Sequence, residues 1–534
     1  MLSQIKTELL ARQTSRLSSP QLRKASGALM VFRQNYRISE LAALAPVSLN
    51  RPLPAGVDRL FVLTLAEDTS LLDALSRLSA DPDIEYAEPD YIGQGAGVET
   101  SGVHTPEADS PKRSQLLPND PLFSNQWGLR NTGQIVGGVT GLVGADINAA
   151  PAWDITTGDS TLILAVLDSG IPAGTGEFTG RLMRGHDYVN NDSDPKDDHG
   201  HGSNVTGIAA ATGNNGRLIA GVDWRCRILP MKILNDKNRG FYSWWMSALV
   251  AAADSGARVI NMSVGGTGYS QGLQDAVTYA VAKGAIVVVS MMNENAETPF
   301  YPAAFPNVIA VGAINNRNAR AVPFCWGSGG SNYGDHIDFM APGERIYGLS
   351  HQYPNGYSIY CGTSQAAPHV SGVIMLLLAA NPSLNYSQVY NLLKAGAHDQ
   401  IGPSTEDTPG WDRYFGWGRV DALASLTQLV TGLAERRPGQ PQGFQLLQNY
   451  PNPFNPATTI EYRIDQPGHV RLVIYNVTGQ RVRTLVDEWQ PAGHYQVIWD
   501  GFSDRRAFSV PAGVYFYELK RGDRVARKRL ILLR

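Results

Sequence analysis

Cysteine is scarce: 534 residues contain three, Cys226, Cys325 and Cys361. That excludes a disulfide-dense small scaffold and allows one bridge at most. No uninterrupted apolar run reaches the ~18 residues of a membrane-crossing helix, so no transmembrane segment is expected. Charge of one sign is lacking too. The 45 basic and 48 acidic residues leave a net −3, which gives no reason to expect nucleic acid or an anionic membrane as partner. The opening stretch MLSQIKTELLARQTSRLSS lacks the apolar run of about 7–15 residues that marks a secretory signal. What is present is a 43% hydrophobic content with 55 Gly and 32 Pro. Such a chain has enough apolar surface for a large core, many tight turns, and a length of roughly three or four domains.

Residues 25–93 carry the apolar runs GALMVF and RLFVLTL, the amphipathic LLDALSRLSA, and DIEYAEPDY. The spacing predicts strand, strand, helix, strand: a small α+β domain over 1–93. Residues 94–117 are small, polar and Pro-containing, which predicts an exposed, cleavable linker. In 118–430 continuous apolar runs (TLILAVLD, ILPMKIL, ARVINMSV, AIVVVS, NVIAVGA) alternate with helical stretches. Strands without polar alternation belong in a sheet covered on both faces, so the fold class expected is α/β with a parallel sheet between helices. A second linker is read at 431–443, TGLAERRPGQPQG. Alternating strands at 444–534 then predict a C-terminal β-sandwich.

Three segments of the central block carry chemistry. Asp168 ends an apolar strand in AVLDSGI, His201 precedes a helix in HGHGSNVTG, and Ser364 starts another in GTSQAAPHVSG. In a parallel sheet the carboxyl ends of strands and the following helix N-termini share one edge. A serine hydroxyl needs a histidine to take its proton and a carboxylate to orient that histidine, so this set points to nucleophilic acyl transfer. Singly, Asp168 reads as a turn or cap residue, His201 as a hydrogen-bonded structural residue and Ser364 as an N-cap; together they predict a site.

These segments, in the order Asp, His, Ser, resemble the signatures of subtilisin-like serine proteases, and the resemblance runs through residues 118–430. It implies Ser364 as nucleophile, His201 as general base and acid, and Asp168 as orienting carboxylate. It further implies an oxyanion hole from the Asn293 amide and the Ser364 N–H, with Gly362 allowing close backbone approach. Ser263, Val264 and Gly265 of VINMSVGG would pair with an extended protein or peptide substrate as an added strand. No cofactor is implied for the chemistry. The sequence departs from the family at Ser203, Asn204 and Gln365, and at Met292, where Gly usually precedes the oxyanion Asn. The last change bears on the specificity pocket around Met291 and Met292.

Asp187, Asn190, Asp192 and Asp194 resemble a calcium loop of some thermostable members, with Lys196 standing where another oxygen ligand is expected. Cys361 either pairs with Cys325 or stays free. Residues 25–93 resemble the family propeptide, which assists folding and inhibits the enzyme through its C-terminal segment. YPNPFNPATTIEY, LVIYNVTGQRVRTL and PAGVYFYEL resemble the sorting domain of the type IX secretion system. The expectation is therefore a secreted or cell-surface endopeptidase, made as an inhibited precursor and exported through the periplasm by type IX machinery, although no signal peptide is visible. Two other classes compete. A lipase or esterase of the α/β-hydrolase type would need GxSxG and the order Ser, acid, His, neither of which is seen. A non-catalytic surface binding protein on a protease fold draws its support from Met292.

Overall fold

The computed structural model describes residues 27–32, 47–52, 60–65, 71–80, 84–104, 117–172, 174–434 and most of 444–533. The stretch read for a secretory signal and parts of both expected linkers lie outside the described residues. The chain divides into two compact units, Met1–Val430 and Thr431–Arg534.

The N-terminal segment builds β1 (Gly27–Phe32), β2 (Val47–Pro52), β3 (Leu60–Leu65), α1 (Leu71–Ala80) and β4 (Ile84–Pro89). The strands form an antiparallel sheet in the order β2–β3–β1–β4. Ala74, Leu75 and Leu78 are buried on one stripe of α1, as its amphipathic pattern requires. Strand β2 was not anticipated. Its sequence VSLNRP lacks an apolar run, and it sits at the sheet edge, where a Pro and polar residues are tolerated.

The large block forms a seven-stranded sheet from β7 (Ile163–Asp168), β8 (His186–Asp187), β9 (Arg227–Lys232), β11 (Val259–Met262), β13 (Ile286–Ser290), β14 (Val308–Ile314) and β15 (Phe339–Pro342). The order is β8–β9–β7–β11–β13–β14–β15 and every pairing is parallel. Strand residues alternate between two cores. Leu164, Val166, Val259 and Val288 pack in one cluster with Val205 of α2 (His201–Ala210) and Val370–Leu378 of α5 (Thr363–Ala380). Ile163, Ala165, Leu167 and Ile260 pack in the other with Trp245 of α3 (Tyr242–Asp254) and Leu273 of α4 (Gln271–Ala282). This is the doubly covered α/β sheet that the continuous apolar runs predicted. Helix α5 has the length and mean hydropathy of a membrane span, but 89% of it is buried inside the protein, and it is the core helix of this sheet.

The region read as an open linker from residue 94 begins differently. Strand β5 (Ile92–Gly95) lies between β10 (Arg239–Phe241) and β12 (Val264–Gly265), antiparallel to both. Strand β6 (Val98–His104) pairs antiparallel with β16 (Tyr357–Cys361). Small residues here mark close backbone approach rather than freedom.

The second unit has two antiparallel sheets. One joins Gln445–Leu446, Thr458–Ile464 and Gly493–Trp499; the other joins Arg481–Gln490, Gly468–Asn476, Gly513–Arg521 and Arg524–Leu532. Ile460, Tyr462, Leu472, Ile474, Trp499, Tyr517 and Leu530 form its own core. The strand Arg481–Gln490 carries a largely charged alternation, with most residues at least partly exposed.

Candidate active site

Asp168 is the last residue of β7, Ser263 follows β11, and Asn293 lies just beyond β13. All three stand at the carboxyl ends of neighbouring parallel strands. His201 opens α2 and Ser364 is the second residue of α5.

Helix α2 begins at His201 because a buried carboxylate fixes its first turn. Asp197 Oδ1 accepts the N–H groups of His199 and Gly200 at 3.0 and 2.8 Å and the Ser169 hydroxyl at 2.8 Å. Its Oδ2 accepts the N–H and hydroxyl of Ser203 at 2.8 and 2.6 Å. Burial pushes the Asp197 carboxyl up, but these donors outweigh it and hold the pKa below the ordinary value. A Cβ on Gly202 would lie 2.3 Å from the Gly170 carbonyl oxygen, so only glycine lets the helix meet the end of β7 this closely. Asp197 was not singled out in the sequence, although DDHGHG places an acid just ahead of the helix, where anionic caps belong.

His201 Nδ1 lies 2.6 Å from Asp168 Oδ1, with both side chains at most 1% exposed. The carboxylate can only accept, so Nδ1 carries the proton and Nε2 is left as the basic nitrogen. That Nε2 is buried without a hydrogen-bond partner. The Ser364 hydroxyl donates to the Ser263 carbonyl at 3.0 Å instead. His199 beside it has its pKa lowered, first by burial and then by the neighbouring His201.

Pro368 lies inside α5 and has no N–H to offer the carbonyl four residues earlier, that of Ser364. The Ser263 hydroxyl takes that place, donating to Ser364 O at 2.9 Å. Asn261 Nδ2 donates to Ser263 Oγ at 3.1 Å, and Ser371 donates to Asn261 Oδ1 at 2.8 Å. A buried polar chain thus ties β11 to the serine helix.

Asn293 Oδ1 accepts from the N–H and hydroxyl of Thr363 at 2.9 and 3.0 Å, which turns its Nδ2 toward the cleft. There Nδ2 donates to the carbonyl oxygen of Ala96 at 2.6 Å, and the Ser364 N–H donates to the same oxygen at 3.2 Å. The Ala96 N–H in turn donates to Ser263 O at 3.1 Å. Gly95 pairs with Val264 and Gln94 with Gly265, so the surface expected to hold an extended peptide holds the chain's own residues. A Cβ on Gly362, at φ 140°, would lie 2.3 Å from the Ala96 oxygen, and glycine is the residue that fits. Met292 occupies φ 71°, a left-handed conformation that is costly for a residue with a side chain, on the order of 1–2 kcal/mol.

Of the other departures, Asn204 donates to Ser358 O and Oγ at 3.3 and 3.2 Å and accepts from Gln365 Nε2 at 3.2 Å. Cys325 and Cys361 are joined, with Cα atoms 6.3 Å apart. Cys226 is a free, buried thiol whose pKa burial pushes up, so it is inert.

The residues read as a calcium loop line one open pocket, with Lys196, Asp197 and Asp198 beside them. Asp187 Oδ1 is committed to the N–H groups of Val189 and Asn190 at 2.7 and 2.9 Å, and its Oδ2 to Asn190 Nδ2 at 2.9 Å. Asp192 Oδ1 accepts the Asp194 N–H at 2.8 Å. Among the described residues no group of three or more His, Cys, Asp or Glu side chains is arranged to hold a metal ion. Lys196 lines the same pocket, and no step of the chemistry is drawn through a metal.

Comparison with known proteins gives the same picture. Residues 448–533 match the secretion system C-terminal sorting domain. The thermophilic serine proteinase of Bacillus sp. (strain AK1) is 34% identical over 351 residues, 66% of this chain and 74% of that protein. Thermitase of Thermoactinomyces vulgaris is 36% identical over 311 residues, 58% of this chain and 99% of that protein. The crystal structure of fervidolysin from Fervidobacterium pennivorans, a keratinolytic enzyme related to subtilisin, superposes with a TM-score of 0.63 at 20% identity, covering 96% of this chain and 77% of that one. The fold is shared with that enzyme. Residues 159–418 match the subtilase family, and on that match and the two relatives this chain belongs to the subtilase family and is a serine endopeptidase.

Proposed function

We propose that the chain is a self-inhibited precursor, with Asp168, His201 and Ser364 as its catalytic set, and that it releases itself by cutting the Ala96–Gly97 bond. The observation that carries this reading is the Ala96 carbonyl, whose oxygen takes hydrogen bonds from Asn293 Nδ2 and the Ser364 N–H. Those two donors are where charge develops on a scissile carbonyl. Strand β5 holds the peptide in register on both sides, as an added strand does.

The Ser364 hydroxyl turns from Ser263 O toward His201 Nε2 and gives up its proton there. Ser364 Oγ bonds to the Ala96 carbonyl carbon, and the oxyanion is held by Asn293 and the Ser364 N–H. The C–N bond to Gly97 breaks as His201 returns the proton to the departing amine. Water, deprotonated by the same imidazole, then hydrolyses the Ala96 ester and frees Ser364. Asp168 keeps the imidazole in the required tautomer and stabilises its cation. Protein substrates follow the same route once the N-terminal segment leaves, and that segment acts as inhibitor while it stays. The sorting domain directs the enzyme to the type IX machinery, and hence to the cell surface or medium by way of the periplasm.

In Ser364→Ala the chain should accumulate uncut, while the parent yields a product whose N-terminus is Gly97. A normal processed N-terminus in Ser364→Ala, produced by purified protein alone, would refute the assignment.

A further inference from the structure

Residues 92–97 do more than block the cleft, because their side chains, or lack of them, record what the cleft has room for. This inference rests on the reading of Ala96–Gly97 as the bond presented for cleavage. We propose that the mature enzyme is selective for glycine- and alanine-rich extended polypeptide. It takes glycine at the fourth residue before the cut and a small residue such as alanine immediately before it.

The fourth position is closed by an indole. A Cβ on Gly93 would lie 2.1 and 2.7 Å from ring atoms of Trp245 and 3.0 Å from the Gly265 carbonyl oxygen. Trp245 is held from behind: it packs in the core with Leu249 and Ile233 and stacks on Tyr242 at 4.7 Å between centroids. Moving it means opening a close-packed core. The position immediately before the cut is closed by Met292. Ala96, Met292 and Phe300 form a buried cluster of their own. The Met292 Cγ and Sδ lie flat on the cleft wall, each 2.7 Å from where a Cβ on Gly265 would stand. A Phe or Leu in place of Ala96 would have to expel that side chain.

The second position before the cut and the one after it meet mainly the ends of polar side chains, which can swing aside, so they are less strictly selected. A Cβ on Gly95 would be 2.4 Å from Asn238 Oδ1, and one on Gly97 would be 2.9 Å from His201 Cδ2 and from both terminal atoms of Gln365. Asn238 and Gln365 are themselves buried. Gln94, the third position, is exposed and should be free to vary. With so few side chains to grip, binding energy comes from the main-chain pairing with Arg239–Phe241 and Val264–Gly265.

The test uses the full-length protein after self-processing and internally quenched peptides built on Ile-Gly-Gln-Gly-Ala-Gly-Val. Leu at the fourth position or Phe before the cut should each lower kcat/KM by about 10–100-fold, the range that added bulk in a fitted pocket produces. Changing Gln to Lys or Leu should have little effect. Met292→Gly should restore cleavage after Phe and leave the fourth-position penalty in place. Trp245→Ala should do the reverse; if it fails to fold, Trp245→Leu serves. Equal or better cleavage of the Phe and Leu peptides by the parent protein would overturn the proposal. Ser364 labelling by a fluorophosphonate separates the two levels. Labelling with indifference to side-chain size sinks the selectivity alone. Failure of both labelling and hydrolysis sinks the protease assignment, and the selectivity with it.

Discussion

Glu88 Oε1 accepts the Ser270 hydroxyl at 2.6 Å, and its carboxylate also takes the N–H groups of Gln271 and Gly272 at 2.9 and 3.0 Å. A carboxylate of the N-terminal segment thus crowns the start of α4, whose own cap is Ser270. Asp90 does the same for α3, accepting the Ser243 N–H and hydroxyl at 3.0 and 2.7 Å. Helix N-termini favour such anions.

Both groups make docking of the N-terminal segment sensitive to pH. Burial, partly offset by the hydrogen bonds, raises Glu88 from 4.5 to about 7 and Asp90 from 3.8 to about 6. Docking therefore takes up protons. The contribution from Glu88 is fully present below 4.5 and is lost as pH rises to about 7; that from Asp90 is lost between 3.8 and about 6. The cleaved segment should inhibit the mature enzyme more tightly at pH 5.5 than at pH 8, on the order of 10-fold or more. Glu88→Gln should flatten that dependence. Inhibition constants measured across pH for both segments check this, and tighter binding at pH 8 would contradict it.

Much of this was legible in the sequence because each signal was local. Apolar runs such as ILAVLD gave the buried parallel strands, and the Gly-flanked Asp168, His201 and Ser364 pointed to one edge of the sheet. What was not legible depended on partners far along the chain. QGAG reads as a linker by composition, because nothing local says that Asn238 and Met292 stand where its side chains would be. Asp197 reads as one more acid in DSDPKDDHG until five donors are seen around it. The acidic residues at 187–194 suggested a cation from the sequence; that Asp187 also takes the loop's own amides was not readable there. The hydroxyl of Ser364 was expected on His201 and rests instead on Ser263 O, a rotamer choice that no sequence pattern encodes.

Asn293→Ala should lower kcat for peptide hydrolysis by about 10²–10³-fold with little change in KM, as loss of one oxyanion donor does. Thr363→Val, which keeps the N–H but removes the hydroxyl that orients Asn293, should fall between parent and Asn293→Ala. Steady-state kinetics on a chromogenic peptide distinguish this from a binding role, which would raise KM and spare kcat.

Asp197→Ala should destabilise the protein, because it strands donors from Ser169, His199, Gly200 and Ser203 at the start of α2. Hydrogen bonds to a charged acceptor are worth roughly 1.5–3 kcal/mol each, and a loss of about 3 kcal/mol corresponds to ~4–5 °C in melting temperature for a domain of this size. The sign with pH follows from the lowered pKa. The contribution is present above the ordinary value of 3.8 and is lost as pH falls through the lower, folded-state value. Parent and variant should converge in stability under acid. Scanning calorimetry at fixed scan rate, with Ser364→Ala as background to prevent self-digestion, measures the gap.

The C-terminal unit holds no residue of the candidate active site and has its own apolar core around Ile460, Leu472, Trp499 and Tyr517. The buried residues of the catalytic block's two cores likewise lie within residues 122–429. Each unit therefore contains the burial it needs to fold. Deleting 444–534 should leave kcat/KM on a peptide close to that of the intact protein. Because residues 448–533 match a secretion sorting domain, the same deletion in a host with type IX machinery should leave the enzyme in the periplasm. Activity measured in periplasm, surface and medium fractions reads both effects at once. A truncated enzyme that is active and appears in the medium as efficiently as the parent would show that the last unit serves attachment or substrate binding rather than export.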